Sequence, residues 1–569
     1  MATISSIKLS LRNYFYLFFM KKLLTLIFLL PIFYSCGKKE SDKNIFRYND
    51  ANGIESLDPV MCSNYQAGWQ LQQICEGLFE FAQDMKLQNN LCKEYKISED
   101  ALIYSFILRN DVYFHDDDCF TDKKGRRVTA ADFKYCFERV CDPRTKTRGT
   151  WLFRDRIKGA LDFVNSIKDK KFDVKEISGI QSPNDTTLII TLTKPFAPFL
   201  SILTMAYSFV YPKEAVEFYK DNFGYHPVGT GPFKFVKWEV DKELLLEKNK
   251  NYWNKNISIQ LEGIKVSFIK SAETAYLDFR EGKFDYFEPT PEILTQVLDE
   301  NGKVVSGYDF EFVKQPWLNT VYLGIQLNTN LPGGKNNQLS ENKKLRQAIN
   351  YAIDREKLIK YVLKFRGKSA ENGPIPPGMP GYSKDVIGYK LDREKAKQLL
   401  GEAGYPDGKG LSLKLTVSND ETQKLVGETV QAQLKEIGID VQLDFIQSST
   451  LRSAQVGGEL AFWRGNWGAD YFDPENFMAL FYSKNKSPNG PNYTHYSNPK
   501  ADSLYDAALN ETNFEKRKSM YNQMERIVLE DAPWIFLYYN EIIYLKRKEV
   551  QGMYIDGLNT LILKWAKFN

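Results

Sequence analysis

The sequence predicts a mixed α/β protein of two or three packed lobes. Apolar residues recur at helical spacing in some stretches and at strand spacing in others along the whole chain, so both element types are expected throughout. The length, 569 residues at 43% hydrophobic and 26% charged content, exceeds what one hydrophobic core serves. No internal repeat is visible, which removes solenoid and propeller architectures.

Helical periodicity falls at residues 131–140, 345–363, 396–403, 425–437 and 520–529. Strand-like runs fall at 103–108, 187–192, 244–247, 264–269, 411–417 and 441–445. Gly- and Pro-rich punctuation at 227–232, 331–337 and 373–381 marks loops or lobe junctions.

A secretory signal is read from Met20-Lys21-Lys22, an apolar run over 23–33, then Tyr34-Ser35-Cys36-Gly37, with translation starting at Met20 or, with residues 1–19 as an upstream extension, at Met1. The run is shorter than the roughly 20 residues a bilayer span needs, and a longer span reaching back to residue 14 would bury Lys21 and Lys22 at high cost. Residues 1–35 are therefore read as leader and 36–44 as a polar linker. The formal charge of +4 is matched by Lys8, Arg12, Lys21 and Lys22 in the leader, which has no acidic residue. The remainder is formally neutral, which argues against nucleic acid as a partner, because that binding leans on clustered Lys and Arg.

Beyond Cys36 the cysteines are Cys62, Cys75, Cys92, Cys119, Cys136 and Cys141. An oxidising compartment permits disulfides among them, with 15 pairings open, and buried free thiols are the other outcome. No C-x-x-C and no histidine pair suggests a metal site, and no cofactor is expected.

Catalytic signatures are missing from the sequence. There is no G-x-S-x-G, no H-E-x-x-H, no phosphate-binding loop and no G-x-G-x-x-G, and the three histidines, His115, His226 and His495, are isolated from one another. The expectation is a binding protein and not an enzyme. Asp116-Asp117-Asp118 and the basic run 123–127 read as solvated turns.

Four segments taken together resemble the peptide- and nickel-binding family of extracytoplasmic solute-binding proteins that serve ABC importers. The first carries Leu57-Asp58-Pro59, Glu76-Gly77-Leu78, Leu108-Arg109, Phe114-His115-Asp116 and Val128-Thr129-Ala130-Ala131-Asp132-Phe133. The second is Pro227-Val228-Gly229-Thr230-Gly231-Pro232-Phe233 with Asn251-Tyr252-Trp253. The third is Leu345-Arg346-Gln347-Ala348-Ile349-Asn350-Tyr351-Ala352-Ile353-Asp354-Arg355, followed by Gly373-Pro374-Ile375-Pro376-Pro377-Gly378. The fourth holds Trp467-Gly468-Ala469-Asp470-Tyr471, Asp473-Pro474 and Asp531-Ala532-Pro533-Trp534.

The resemblance implies a periplasmic-binding-protein-like fold with two main lobes across a hinge and a smaller inserted lobe: lobe I from 45–81, 178–318 and 537–569, lobe II from 82–177, lobe III from 319–536. It implies that ligand closes the lobes on itself. It also implies capture of short peptides as an added strand, with delivery to ABC permease and ATPase subunits.

By the same resemblance Asp470, in a Trp-x-x-Asp context with Trp467, matches the peptide ammonium and Arg464 a peptide carboxylate. Main-chain rungs come from Asn466 to Gly468 on one side and from Ser63, Asn64 and Tyr65 on the other, while Asn319, Tyr322 and Tyr496 are further contacts. Cys36 resembles the lipidated cysteine of bacterial lipoproteins, which places a monomer in the periplasm or cell envelope, held to a membrane by its lipid. Trp463 and Trp467 also fit as core aromatics, and Asp470 as a cap for the turn before Pro474. The Gly229 to Pro232 motif reads as a tight structural turn. A family member carrying nickel chelate, haem or oligosaccharide stays open, as does a peptide-sensing signalling lipoprotein.

Overall fold

Two long strands, Glu311–Ile325 and Trp534–Lys546, form the spine of the molecule and pair antiparallel from Glu311↔Lys546 to Gly324↔Trp534. The computed structural model describes residues 44–62 and 64–569, so the leader, Cys36 and Ser63 lie outside the described residues.

Trp534–Lys546 reads WIFLYYNEIIYLK and is buried at every position but one, the pattern of a strand covered on both faces. Its period of two divides the side chains between cores. Ile535 and Leu537 enter one cluster, Trp534 and Phe536 the cluster on the opposite face, and further along Ile543 and Leu545 part in the same way from Ile542 and Tyr544. The strand pair is thus common to four cores. Its register shifts between Pro316 and Thr320 and again between Val321 and Tyr322.

Around this spine runs an eleven-stranded mixed sheet. On one side stand Phe462–Gly468, Ser412–Ser418 and Asp440–Ile446; on the other stand Tyr286–Phe287, Ile45–Asn49, Gly263–Ser267, Glu243–Lys248 and Phe233–Glu239; Lys368–Ser369 adds to the spine. A separate four-stranded antiparallel sheet, Cys92–Ile97, Ile103–Leu108, Thr187–Thr191 and Ile180–Asn184, carries its own core with the helix Ala130–Cys141. Mixed sheets with helices packed on them make this an α/β architecture.

The strand-period runs become strands, with Ile103–Leu108 matching its expected bounds. One helical expectation is corrected: residues 345–363 form two helices, Lys343–Ala352 and Arg355–Tyr361. Ile353 is extended (ψ 117°), and the Asp354 side chain accepts from the Lys357 N–H, so a capped N-terminus interrupts an apolar stripe that continues through it.

The Gly-Thr-Gly turn is pressed onto the end of the helix Tyr65–Ile74. A Cβ on Gly229 would lie 2.1 Å from the Ile74 carbonyl oxygen, and Gly231 donates to that same oxygen at 2.8 Å. His115 is consumed here, its backbone N–H donating to Gly229 O and its ring Nε2 lying 2.9 Å from Gly231 O; burial lowers its pKa to about 4. The six described cysteines carry free thiols. Asp116 and Asp117 serve turns, accepting from the backbone of Gly125 and Cys119. No helix among the described residues is long and apolar enough to cross a membrane.

Candidate functional site

The strand Phe462–Gly468 holds the candidate residues because it is zipped to the spine, with Asn319 opposite Gly468, Tyr322 opposite Gly465 and Gly324 opposite Trp463. In two of these pairs a glycine faces an aromatic. A Cβ on Gly324 would meet the Trp463 ring at 2.6 Å and one on Gly465 the Tyr322 ring at 2.9 Å, so each ring lies over the bare backbone of its partner. Trp463 is therefore a core aromatic, 1% exposed.

Past Gly468 the chain turns through Ala469, which donates to Leu318 O at 2.8 Å, and presents Asp470. The turn is fixed by Asn476, 2% exposed, whose Oδ1 accepts from the Trp467 indole at 2.8 Å and from the Asp470 N–H at 3.1 Å. Further on, Asp473 pairs with Arg517 at 2.7 Å, and the Tyr471 and Tyr505 hydroxyls donate to Glu475. Two cores meet at this turn: Tyr471 packs in the cluster of the four-stranded sheet and Phe477 in the spine cluster, while Phe472 meets Phe81 ring to ring at 5.7 Å.

Asp470 is half-buried and makes no ion pair among the described residues. Enclosure by protein raises its pKa to about 6; a hydrogen bond with Asn476 and the positive charge of Arg452 oppose the rise, and Glu475 adds to it. Its charge also acts on the Tyr207 phenol, which burial, Cys62 and then Asp470 push upward, and the Tyr207 hydroxyl donates to Cys62 O. Tyr207 thus links the surroundings of Asp470 to Cys62.

Asn64 caps its helix, accepting from Ala67 N at 2.9 Å. Tyr65 is half-buried beside Trp69 and Trp317, with ring centroids 5.7 and 6.4 Å away, and its phenol is raised first by the charge of Glu288. Glu288 is paired with Arg366.

Arg464 has no carboxylate partner among the described residues. It reaches Asn466 Oδ1 at 3.3 Å and the Tyr538 hydroxyl only at 3.5 Å, and its Nε is buried without a partner. Asn466 is exposed and Gly468 half-buried.

Asn319, Tyr322 and Tyr496 lie in the interior instead. Asn319 accepts from Asn540 at 2.7 Å, Tyr322 stacks on Trp534 at 3.4 Å and 2°, and the Tyr496 hydroxyl donates to Asp531 at 2.7 Å. Arg452, Tyr207 and Asn476 escaped the sequence reading, since each acts through a fold contact that leaves no local pattern.

A family model described as "Bacterial extracellular solute-binding proteins, family 5 Middle" matches residues 86–489. Heme-binding protein A of Haemophilus influenzae is 29% identical over 509 residues, covering 87% of each chain. Dipeptide-binding protein DppE of Bacillus subtilis is 28% identical over 547 residues, 93% of each. Among solved structures, the periplasmic binding protein DppA of Helicobacter pylori, in complex with the peptide STSA, superposes with a TM-score of 0.73 at 25% identity, covering 92% of this chain and 98% of that one. With the family model matching residues 86–489 and the fold shared over 92% of the chain, the protein belongs to the family 5 bacterial extracellular solute-binding proteins.

Proposed function

We propose that this protein is the substrate-binding component of an ABC-type importer and captures short, extended peptides between its lobes. The observation that carries the reading is the Asp470 carboxylate, enclosed, without an ion pair among the described residues, and near the Tyr207 phenol that donates to Cys62 O. A buried carboxylate without a cation is costly, and a peptide ammonium supplies that cation. Arg464, also without a carboxylate, is placed to take an anionic group of the same ligand. The exposed edge at Asn466 to Gly468 suits main-chain pairing with an added strand. A dipeptide-binding relative and a peptide-bound structural neighbour support the same reading.

The lobes are assigned as 45–81, 178–318 and 537–569, then 82–177, then 319–536. The hinge falls in the spine, where the register shift at Pro316–Thr320 spans the boundary. The chain acts without turnover, as a monomer, in the periplasm or cell envelope, anchored by a lipid on Cys36; Cys36→Ala is expected to move it from the membrane to the soluble fraction.

The test is calorimetric titration of the full-length chain, unfolded and refolded to strip captured ligand, with peptides of two to six residues. Binding is expected, and Asp470→Ala should weaken it by about 2–5 kcal/mol. No heat from any peptide overturns the assignment, and haem, nickel chelates and oligosaccharides are then the ligands to titrate; haem comes first, given the haem-binding relative.

A further inference from the structure

A cavity of about 300 Å³ is lined by residues drawn from 89–93, 109–111 and 253–256. None of the residues assigned above to peptide capture takes part in it. Its walls hold three cations, Lys93, Arg109 and Lys255, against one carboxylate, Asp111.

Arg109 is held rigid from two sides. Its guanidinium lies 4.5 Å from the Trp253 ring centroid and is gripped by both Asp111 oxygens at 3.0 and 2.8 Å. That leaves Nη1 donors of a planar, pre-oriented group for an incoming anion. Lys93 and Lys255 make no ion pair among the described residues; Lys255 is steered by its bond to Tyr252 O at 2.6 Å.

Asn90 adds an independent observation. It is 6% exposed, its carboxamide makes no hydrogen bond with any described residue, and it lines the cavity. The carboxamide is therefore open to a donor or acceptor on a ligand. Three further asparagines stand in the same wall.

The excess of positive charge favours an anion, and the carboxamides, each both donor and acceptor, match hydroxyl groups. The volume is at the small end of ligand pockets, which span about 300–1,000 Å³. We propose that this cavity is a second binding site, separate from the peptide cleft, for a small hydroxylated organic anion, a sugar phosphate or a sugar acid. The proposal is independent of the peptide reading.

The test is calorimetric titration of the full-length chain in mild detergent, at low salt, with glucose 6-phosphate, glucuronate, inorganic phosphate and glucose. One of the two sugar anions is expected to bind at one per chain, more tightly than inorganic phosphate or glucose, and which one binds separates phosphate from carboxylate recognition. Lys93→Glu, at an exposed position, and Asn90→Leu, which removes the carboxamide's donor and acceptor, should each weaken it by about tenfold or more, while Asp470→Ala leaves it unchanged. Unaltered circular dichroism in both variants guards against misfolding. No heat from either sugar anion, equal affinity for inorganic phosphate, or binding that survives Lys93→Glu overturns the proposal.

Discussion

In the proposed function Asp470 is the side chain that meets the peptide ammonium. Its raised pKa, about 6, comes first from enclosure, so the empty site resists the charge that a peptide ammonium needs. Proton and ammonium compete for the same carboxylate. Peptide affinity is therefore expected to be flat from about pH 6 to about pH 8, to fall by up to tenfold per unit below it, and to fall again above it as the α-amino group, with a pKa near 8, loses its proton. Titrations from pH 4.5 to 9 check this, and an affinity unchanged down to pH 4.5 would exclude Asp470 as the ammonium's partner. Asp470→Asn should remove the acid limb and leave the alkaline one.

At the scale of elements, the Gly-Thr-Gly turn acts at a distance from ligand. It clamps the C-terminal end of the helix whose first residue is Tyr65, and Thr230 donates to the buried Glu76 just beyond that helix at 2.8 Å. A methyl at Gly229 has no room beside the Ile74 carbonyl oxygen, so the helix end or the turn must shift. Gly229→Ala is expected to cost about 1–3 kcal/mol in urea unfolding. A neutral result would mean the turn relaxes freely and does not hold the helix in place. The helix pair at 343–361 and the two spine strands show what local pattern conveys. Apolar spacing was legible in the first, but not the cap at Asp354 that divides it. Of the spine strands, Trp534–Lys546 is buried on both faces and lacks the alternation that marks half-exposed strands, and neither strand was among the runs read as strands.

For the whole molecule, buried acids set the pH response of the ligand-free state. Asp50 and Asp556 are raised to about 6, Glu76 to about 7 and Glu525 to about 8, each mainly by burial. A group raised on folding gives its full stability below its unfolded pKa, near 4, and loses it as pH climbs through the folded value. His115, lowered to about 4, works the other way and loses its contribution as pH falls through 6.5 toward 4. Four carboxyls outweigh one imidazole, so ligand-free protein should melt at a higher temperature at pH 5.5 than at pH 8 in scanning calorimetry. The reverse order would mean these acids are ionised in the folded state.

The sequence by itself determined the class of the molecule, the order of most elements and the family resemblance, and put Asp470 forward as a candidate, because periodicity and linear motifs are local properties of the chain. Only the tertiary structure decided which side chains remain open to a ligand. Tyr322 and Tyr496 have the same chemistry as Tyr65, yet the first covers a glycine on the neighbouring strand and the second is bonded to Asp531. The partners of Asp470, namely Asn476, Arg452 and Tyr207, come from three places in the chain, and so do the walls of the second cavity. Burial and charge neighbourhood are sums over the folded surroundings of a residue, and no window of sequence contains them.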